Sequence, residues 1–355
     1  MKVTQPFLPL YKKFVNDSKN GKRLNKDGKR ISTGTIKNYK QAYSLLCKYC
    51  LEKEIELRVA NANKLTKKEF LSEQKYWKKF YTSFTTYLYK NGCHDNYVGS
   101  QIKILKTVFN FLKNNEGLNV GQFYKNFYVR KEEVDILVLS QERLKFLIHD
   151  QEFEKTLTNK ERIVKDMFIM GCTTGFRYSD LVSVTIKNFK KSEGKYYITN
   201  KSKKTKTETA VLLPSYAVDI YYTYKTKSTK NLLFGSMSLN KFNETLKDIG
   251  LKAGFTEVVE YKREQRGIEK KLVSARKQNL FCNKMSSHMM RRTAITTLLI
   301  LGMPELLVRQ ISGHKYGSSS FMRYVKFAQA YLDKEIESVY SKLENYAPES
   351  VGSNR

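Results

Sequence analysis

The chain has 355 residues, with 65 Lys+Arg against 34 Asp+Glu and a formal net charge of +31. A hydrophobic content of 41% is enough for buried cores, which excludes a disordered polycation, and the length suggests two domains or three small ones. The charge far exceeds what solubility requires and points to a polyanionic partner, because each neutralised phosphate releases a condensed counterion; inherited lysine bias is the bland alternative.

The five cysteines, Cys47, Cys50, Cys93, Cys172 and Cys282, are too few and too scattered for a disulfide framework. Cys47 and Cys50 form a CxxC, but no second pair of ligands follows, and i, i+3 positions of a helix share an apolar face. No N-terminal stretch resembles a signal peptide, and the apolar run "AITTLLILGM" is too short to cross a bilayer. The expectation is a soluble cytoplasmic protein, associated with the nucleoid when bound to DNA.

In chain order, "PFLPLYKKFVNDSK" is compatible with one short helix, and "NGKRLNKDGKR" interrupts it as a solvated basic stretch. Residues 1–31 are accordingly assigned to a basic N-terminal arm, with Lys22 and Arg23 as DNA contacts. Ile36, Tyr39, Tyr43 and Leu46 then recur at helical spacing. Thr66 and Glu69 have capping-box spacing and open a helix that Gly92 ends. Ile102, Leu105, Val108, Phe109 and Leu112 mark a further amphipathic helix. Residues 32–116 thus read as a helical bundle, and 117–138, which lack a sustained period, as a linker.

From Ser140 the pattern changes, and 139–345 read as a second domain with a tail at 346–355. Helices are predicted at about 140–151, 159–172, 215–226, 238–252, 288–302, 304–312 and 327–345. "YYITN" and "TAVLLP" are β-rich and flank the basic "KSKKTKTE", the signature of a hairpin with a positive tip. "VVEYKREQRGIEKKLVS" reads either as a second hairpin or as a basic loop. The fold class is mainly α with a small β-sheet, a helical domain followed by an α+β domain.

Four features of the second domain bear on chemistry. In "TGFRYSDL" a Gly-containing turn presents Arg177, with Asp180 one helical turn on. At the hairpin tip Lys206 precedes a strand, with Lys203 and Lys204 beside it. In "SSHMMRRTAITTLL" His288 and Arg291 stand at i and i+3 near a helix N-terminus, where unpaired N–H groups favour anions. Arg292 follows as a further basic contact. In "ISGHKYGSSSFMRYV" His314 is accompanied by Tyr316 and Tyr324. No HExxH, carboxylate cluster or GxxxxGK[ST] loop occurs, so a metal centre or a nucleotide triphosphatase is not indicated. The set suits phosphoryl transfer: arginines clamp non-bridging oxygens, a tyrosine attacks, and lysine or histidine moves the protons.

These motifs resemble, in order, those of the tyrosine recombinase (phage integrase) family, and within it the integrases and invertases of Bacteroides-type mobile elements. "TGFRYSDL" is similar to the first arginine box, "KTETAVLLP" to the hairpin lysine segment, "SHMMRRT" to the HxxR box, "ISGHK" to the last histidine box, and "FMRYVK" to the nucleophile segment. The resemblance implies Arg177, Lys206, His288, Arg291, His314 and Tyr324 as catalytic residues and Asp180 as support, with Lys206 favoured over Lys203 and Lys204 by its distance to Pro214. It implies a helical, SAM-like core-binding domain and a catalytic domain that cuts and rejoins DNA through a 3′-phosphotyrosyl bond, without cofactor, metal or ATP. The implied partners are double-stranded recombination sites, a homotetramer on DNA, and accessory bending or directionality proteins, with no membrane. The chain departs from the pattern in one extra residue between His314 and Tyr324, and in the little room before residue 32 for a separate arm-binding domain. Rival expectations are a type IB topoisomerase-like nicking-resealing enzyme and a non-catalytic basic DNA-binding protein.

Overall fold

The computed structural model describes residues 4–201, 208–226, 232–271 and 279–344. The chain separates into two compact units: Met1–Val134 with Tyr261–Leu272, and Asp135–Glu260 with Val273–Arg355.

The first unit is a helical bundle of α1 (Phe7–Lys19), α2 (Thr33–Glu52), α3 (Lys67–Lys90) and α4 (Asp95–Asn114). A two-stranded antiparallel ribbon joins β1 (Thr4–Pro6) to β2 (Arg58–Ala60). Side-chain caps start two of the helices: Ser32 accepts the Thr35 N–H for α2, and Thr66 and Glu69 make the predicted capping box for α3. The core is aromatic, with Phe7, Tyr11, Phe14, Trp77 and Phe109 fully buried.

Here the structure differs from the expected arm and linker. Phe7, Tyr11 and Phe14 fall at i, i+4 and i+7, so α1 buries its apolar stripe inside the bundle. Arg23 is stacked 4.1 Å over the Phe14 ring and donates to Ser18 Oγ at 2.6 Å, which gives it a packing role; Lys22 is exposed. Residues expected in the linker, Leu118, Val120, Phe123, Tyr124 and Phe127, pack into the same core. Their spacing follows no helix or strand period because loop and 3-10 backbone carries them.

The stretch 261–271, which reads from sequence as either hairpin or loop, is a hairpin (Lys262–Gln265 paired with Ile268–Lys271) belonging to this first unit. Two buried carboxylates hold it. Asp95 accepts the N–H groups of Arg266 and Gly267, each at 2.8 Å. Glu132 accepts the Glu264 N–H at 2.6 Å and pairs with Arg263 at 2.6 Å.

The second unit contains α5 (Gln141–His149), α6 (Gln151–Thr156), α7 (Asn159–Thr174), α8 (Tyr178–Leu181), α9 (Ser215–Lys225), α10 (Leu239–Lys252), α11 (Phe281–Lys284), α12 (Ser287–Ile300), α13 (Glu305–Ser312) and α14 (Ser319–Glu344). The predicted hairpin forms the second and third strands of an antiparallel sheet, β3 (Phe189–Ser192), β4 (Lys195–Lys201) and β5 (Glu208–Leu212). The polar first strand, "FKKS", shows no apolar alternation, so periodicity does not reveal it. Mainly helical architecture with small sheets is thus the observed fold class.

Two packing arrangements set up the functional region. α7 and α12 cross closely at Gly171, where a Cβ would lie 2.4 Å from Met290 Sδ. Apart from the main core, Ile295 (α12), Val308 (α13), and Phe321 and Tyr324 (α14) form a small cluster. α14 begins at Ser319, so Tyr324 lies within the helix and not before a helix at 327–345. Phe321, Tyr324 and Ala328 fall on one buried face, and that burial extends the helix back through the serines.

Candidate active site

α7 ends at Gly175, whose left-handed backbone (φ 68°) returns its N–H to the Gly171 carbonyl at 3.0 Å. The chain turns at once into Arg177, the N-cap of α8, with buried Asp180 on the same short helix. Arg291, in the second turn of α12, is only 4% exposed. Its Nη1 donates to the Gly175 carbonyl at 2.8 Å, and its Nη2 donates to the carbonyl of Ser312. One guanidinium therefore joins the α7–α8 turn, α12 and the end of α13, which a planar fork can do and a single ammonium cannot.

α13 closes at Gly313 (φ 60°), and His314 follows with its N–H on the Arg309 carbonyl at 3.0 Å. His314 Nδ1 is 2.8 Å from Ser312 Oγ and 3.4 Å from Arg291 Nη2. Tyr324, 7% exposed, has its ring centroid 6.0 Å from that of His314. Tyr316 is 95% exposed, outside this cluster.

The electrostatics confirm the convergence. Burial pushes Arg291 down to about 10, and the charge of Arg177 adds to this against the opposing influence of Tyr324 and Asp180. His314 is pushed down to about 4, first by burial and then by Arg291, Arg177, Arg309 and His288. The imidazole is thus neutral at physiological pH.

The structure thereby brings together Arg177, Asp180, His288, Arg291, His314 and Tyr324, six of the positions singled out by sequence. His288 is exposed on the first turn of α12, and Arg292 is partly buried on the next. Lys203, Lys204 and Lys206 lie outside the described residues; the strands flanking them end at Lys201 and Glu208, and β5 runs beside α13. Sequence reasoning missed Ser312 and Arg309. Ser312 stands two residues before His314 in "ISGHK", where its hydroxyl reads as an ordinary helix-end residue.

Among the described residues no group of three or more His, Cys, Asp or Glu could hold a metal ion, and no helix is long and apolar enough to cross a membrane. The cluster is a concentration of cations around a tyrosine, suited to a phosphodiester and to nucleophilic attack upon it.

A search of curated proteins finds no match. Solved structures with a similar fold include XerH site-specific recombinase bound to palindromic difH substrate (16% identity, TM-score 0.58, covering 91% of this chain and 85% of that one). The Tn1549 transposon integrase in complex with a circular intermediate DNA is similar at 13% identity and TM-score 0.56, covering 93% and 99%. A lambda integrase dimer bound to a COC' core site is similar at 12% identity and TM-score 0.55, covering 90% and 95%. The family model for the phage integrase family matches residues 138–330, more than half of the chain, a range that contains Arg177, Lys206, His288, Arg291, His314 and Tyr324. The chain belongs to the phage integrase family and is a tyrosine recombinase acting on DNA.

Proposed function

We propose that Tyr324 is the nucleophile of a site-specific strand exchange. Its Oη attacks the scissile phosphorus, the P–O5′ bond breaks, and the 3′ end is left on a phosphotyrosyl ester. Arg177 and Arg291 hold the non-bridging oxygens, and Lys206 protonates the departing 5′ oxygen. His288 assists proton transfer, His314 hydrogen-bonds the phosphate or orients the site, and Asp180 is structural support. A partner strand's 5′-hydroxyl then attacks the phosphotyrosyl bond and releases Tyr324. One phosphoester is exchanged for another at each step, so neither ATP nor a metal is needed for the balance.

The observation that carries this reading is the bridging of Gly175 and Ser312 by Arg291, with His314 Nδ1 3.4 Å from Arg291 and the Tyr324 ring centroid 6.0 Å from that of His314. The test incubates the protein with nicked duplex carrying the sequence that flanks the gene. Wild type forms a denaturation-resistant adduct and Tyr324→Phe forms none. An adduct that survives in Tyr324→Phe but not in Tyr316→Phe overturns the assignment.

Within the family, the reading places the chain with integrases and invertases of Bacteroides-type mobile elements. The first unit supplies core-site DNA contacts in this reading, with Lys22, Lys203, Lys204 and Arg292 as further phosphate contacts and accessory proteins bending the site. Exchange between two duplexes calls for four protomers. Ile336, Val339 and Tyr340 form an exposed apolar stripe on the far half of α14, fitted to a neighbouring copy. Ile336→Lys then lowers synapsis while leaving half-site binding intact.

A further inference from the structure

Three arginines, not two, surround His314. Arg309 lies on α13, five residues before His314, where neither motif nor spacing singles it out. Its guanidinium sits 4.1 Å over the Phe321 ring. Its Nη2 donates to Glu305 Oε2 at 3.2 Å and meets Met322 Sδ at 3.3 Å. The side chain is 11% exposed, and its Nη1 is buried with no hydrogen-bond partner.

For stability alone this is a poor arrangement. A buried guanidinium with an unsatisfied nitrogen is costly, and an apolar side chain would pack on Phe321 without that cost. Its ion-pair partner Glu305 is 46% exposed and screened by water, so little of the positive charge is cancelled. What the residue does achieve is geometric. Phe321 and Tyr324 are three apart on α14 and share a face, and the Phe321 centroid is 5.4 Å from His314 and 6.4 Å from Tyr324. The cation–π contact with Phe321 and the Met322 contact tie the first turn of α14 to α13.

We propose that Arg309 is a positioning residue for strand cleavage: its guanidinium clamps the first turn of α14 to α13 and so sets Tyr324 against His314. The inference rests on the reading of Tyr324 and His314 as cleavage residues. It has an electrostatic companion. The imidazole faces Arg291 and His288 from α12, Arg177 from the start of α8, Tyr324 from α14, and Arg309 from α13. Loss of the Arg309 charge makes His314 easier to protonate.

The test compares Arg309→Met and Arg309→Lys in the full chain. DNA affinity and single-turnover adduct formation on a nicked recombination site are measured with DNA. The His314 imidazole is titrated by NMR without DNA, where four histidines in the chain make assignment by His314→Gln direct. Arg309→Met should keep its DNA affinity, form adduct at least about tenfold more slowly, and titrate His314 at higher pH. Arg309→Lys should return the His314 midpoint but not the rate, because an ammonium cannot stack flat on Phe321. Adduct formation by Arg309→Met at the wild-type rate overturns the proposal. So does a parallel loss of affinity and rate with the His314 midpoint unmoved. If wild type forms no adduct although the His314 midpoint moves in Arg309→Met, the cleavage reading of the site falls and the positioning role falls with it, while the charge contact between Arg309 and His314 stands.

Discussion

The hydroxyl of Ser312 lies 2.8 Å from Nδ1 of His314, while the carbonyl of the same serine accepts a hydrogen bond from Arg291. Ser312→Ala removes the first contact and leaves the second. The imidazole then loses one of its two neighbours at Nδ1, and adduct formation should fall by about tenfold with DNA affinity unchanged. Ser312→Thr, which keeps the hydroxyl, should recover most of the rate in the same assay.

His314 links the site to acid stability. Its folded value of about 4 lies below the value of an exposed histidine, so the unfolded chain takes up its proton first as pH falls. The contribution of neutral His314 is complete above about pH 6.5 and is lost progressively as pH drops towards about 4. Denaturant unfolding across that window should show a shallower pH slope for His314→Gln than for wild type. A bound phosphate opposes the surrounding cations, so DNA should move the His314 midpoint upward.

Gly171→Ala places a Cβ 2.4 Å from Met290 Sδ and 2.9 Å from Met290 Cβ. Forcing α7 away from α12 should cost about 1–3 kcal/mol in thermal or denaturant unfolding. Gly175 follows one helical turn after Gly171, and Arg291 follows Met290 directly, so adduct formation should fall as well. Met290→Ala in the Gly171→Ala background should restore part of both, a coupling that a double-mutant cycle measures.

Arg291→Lys keeps a charge but cannot reach the Gly175 and Ser312 carbonyls together. Single-turnover cleavage should drop by about a hundredfold or more, with non-specific DNA binding little altered.

Much of the site was legible because its residues fall in short motifs whose order survives along the chain. Arg177 and Asp180 are one helical turn apart, as are His288 and Arg291, and helical spacing makes such pairs visible. Arg309 and Ser312 were not, since their importance comes from what the turn at Gly313 folds back upon. The buried aromatic positions of α1 were present in "PFLPLYKKF", yet the neighbouring basic run drew residues 1–31 into a solvated arm. Charge density is a poor guide where an arginine such as Arg23 packs over a ring. The 117–138 stretch was misjudged for a related reason: packing without periodicity leaves no pattern to read.

The hairpin at 261–271 makes the helical unit discontinuous in the gene. Asp95 and Glu132 spend their carboxylate oxygens on backbone and side-chain donors supplied from that distant segment. A chimera that joins residues 1–134 to a foreign catalytic half would leave the two buried carboxylates with only their local donors, Tyr89 for Asp95 and Asn96 for Glu132. Grafting this unit onto another integrase therefore requires transplanting the hairpin with it, and natural shuffling at the 134/135 junction would be selected against unless both pieces moved together.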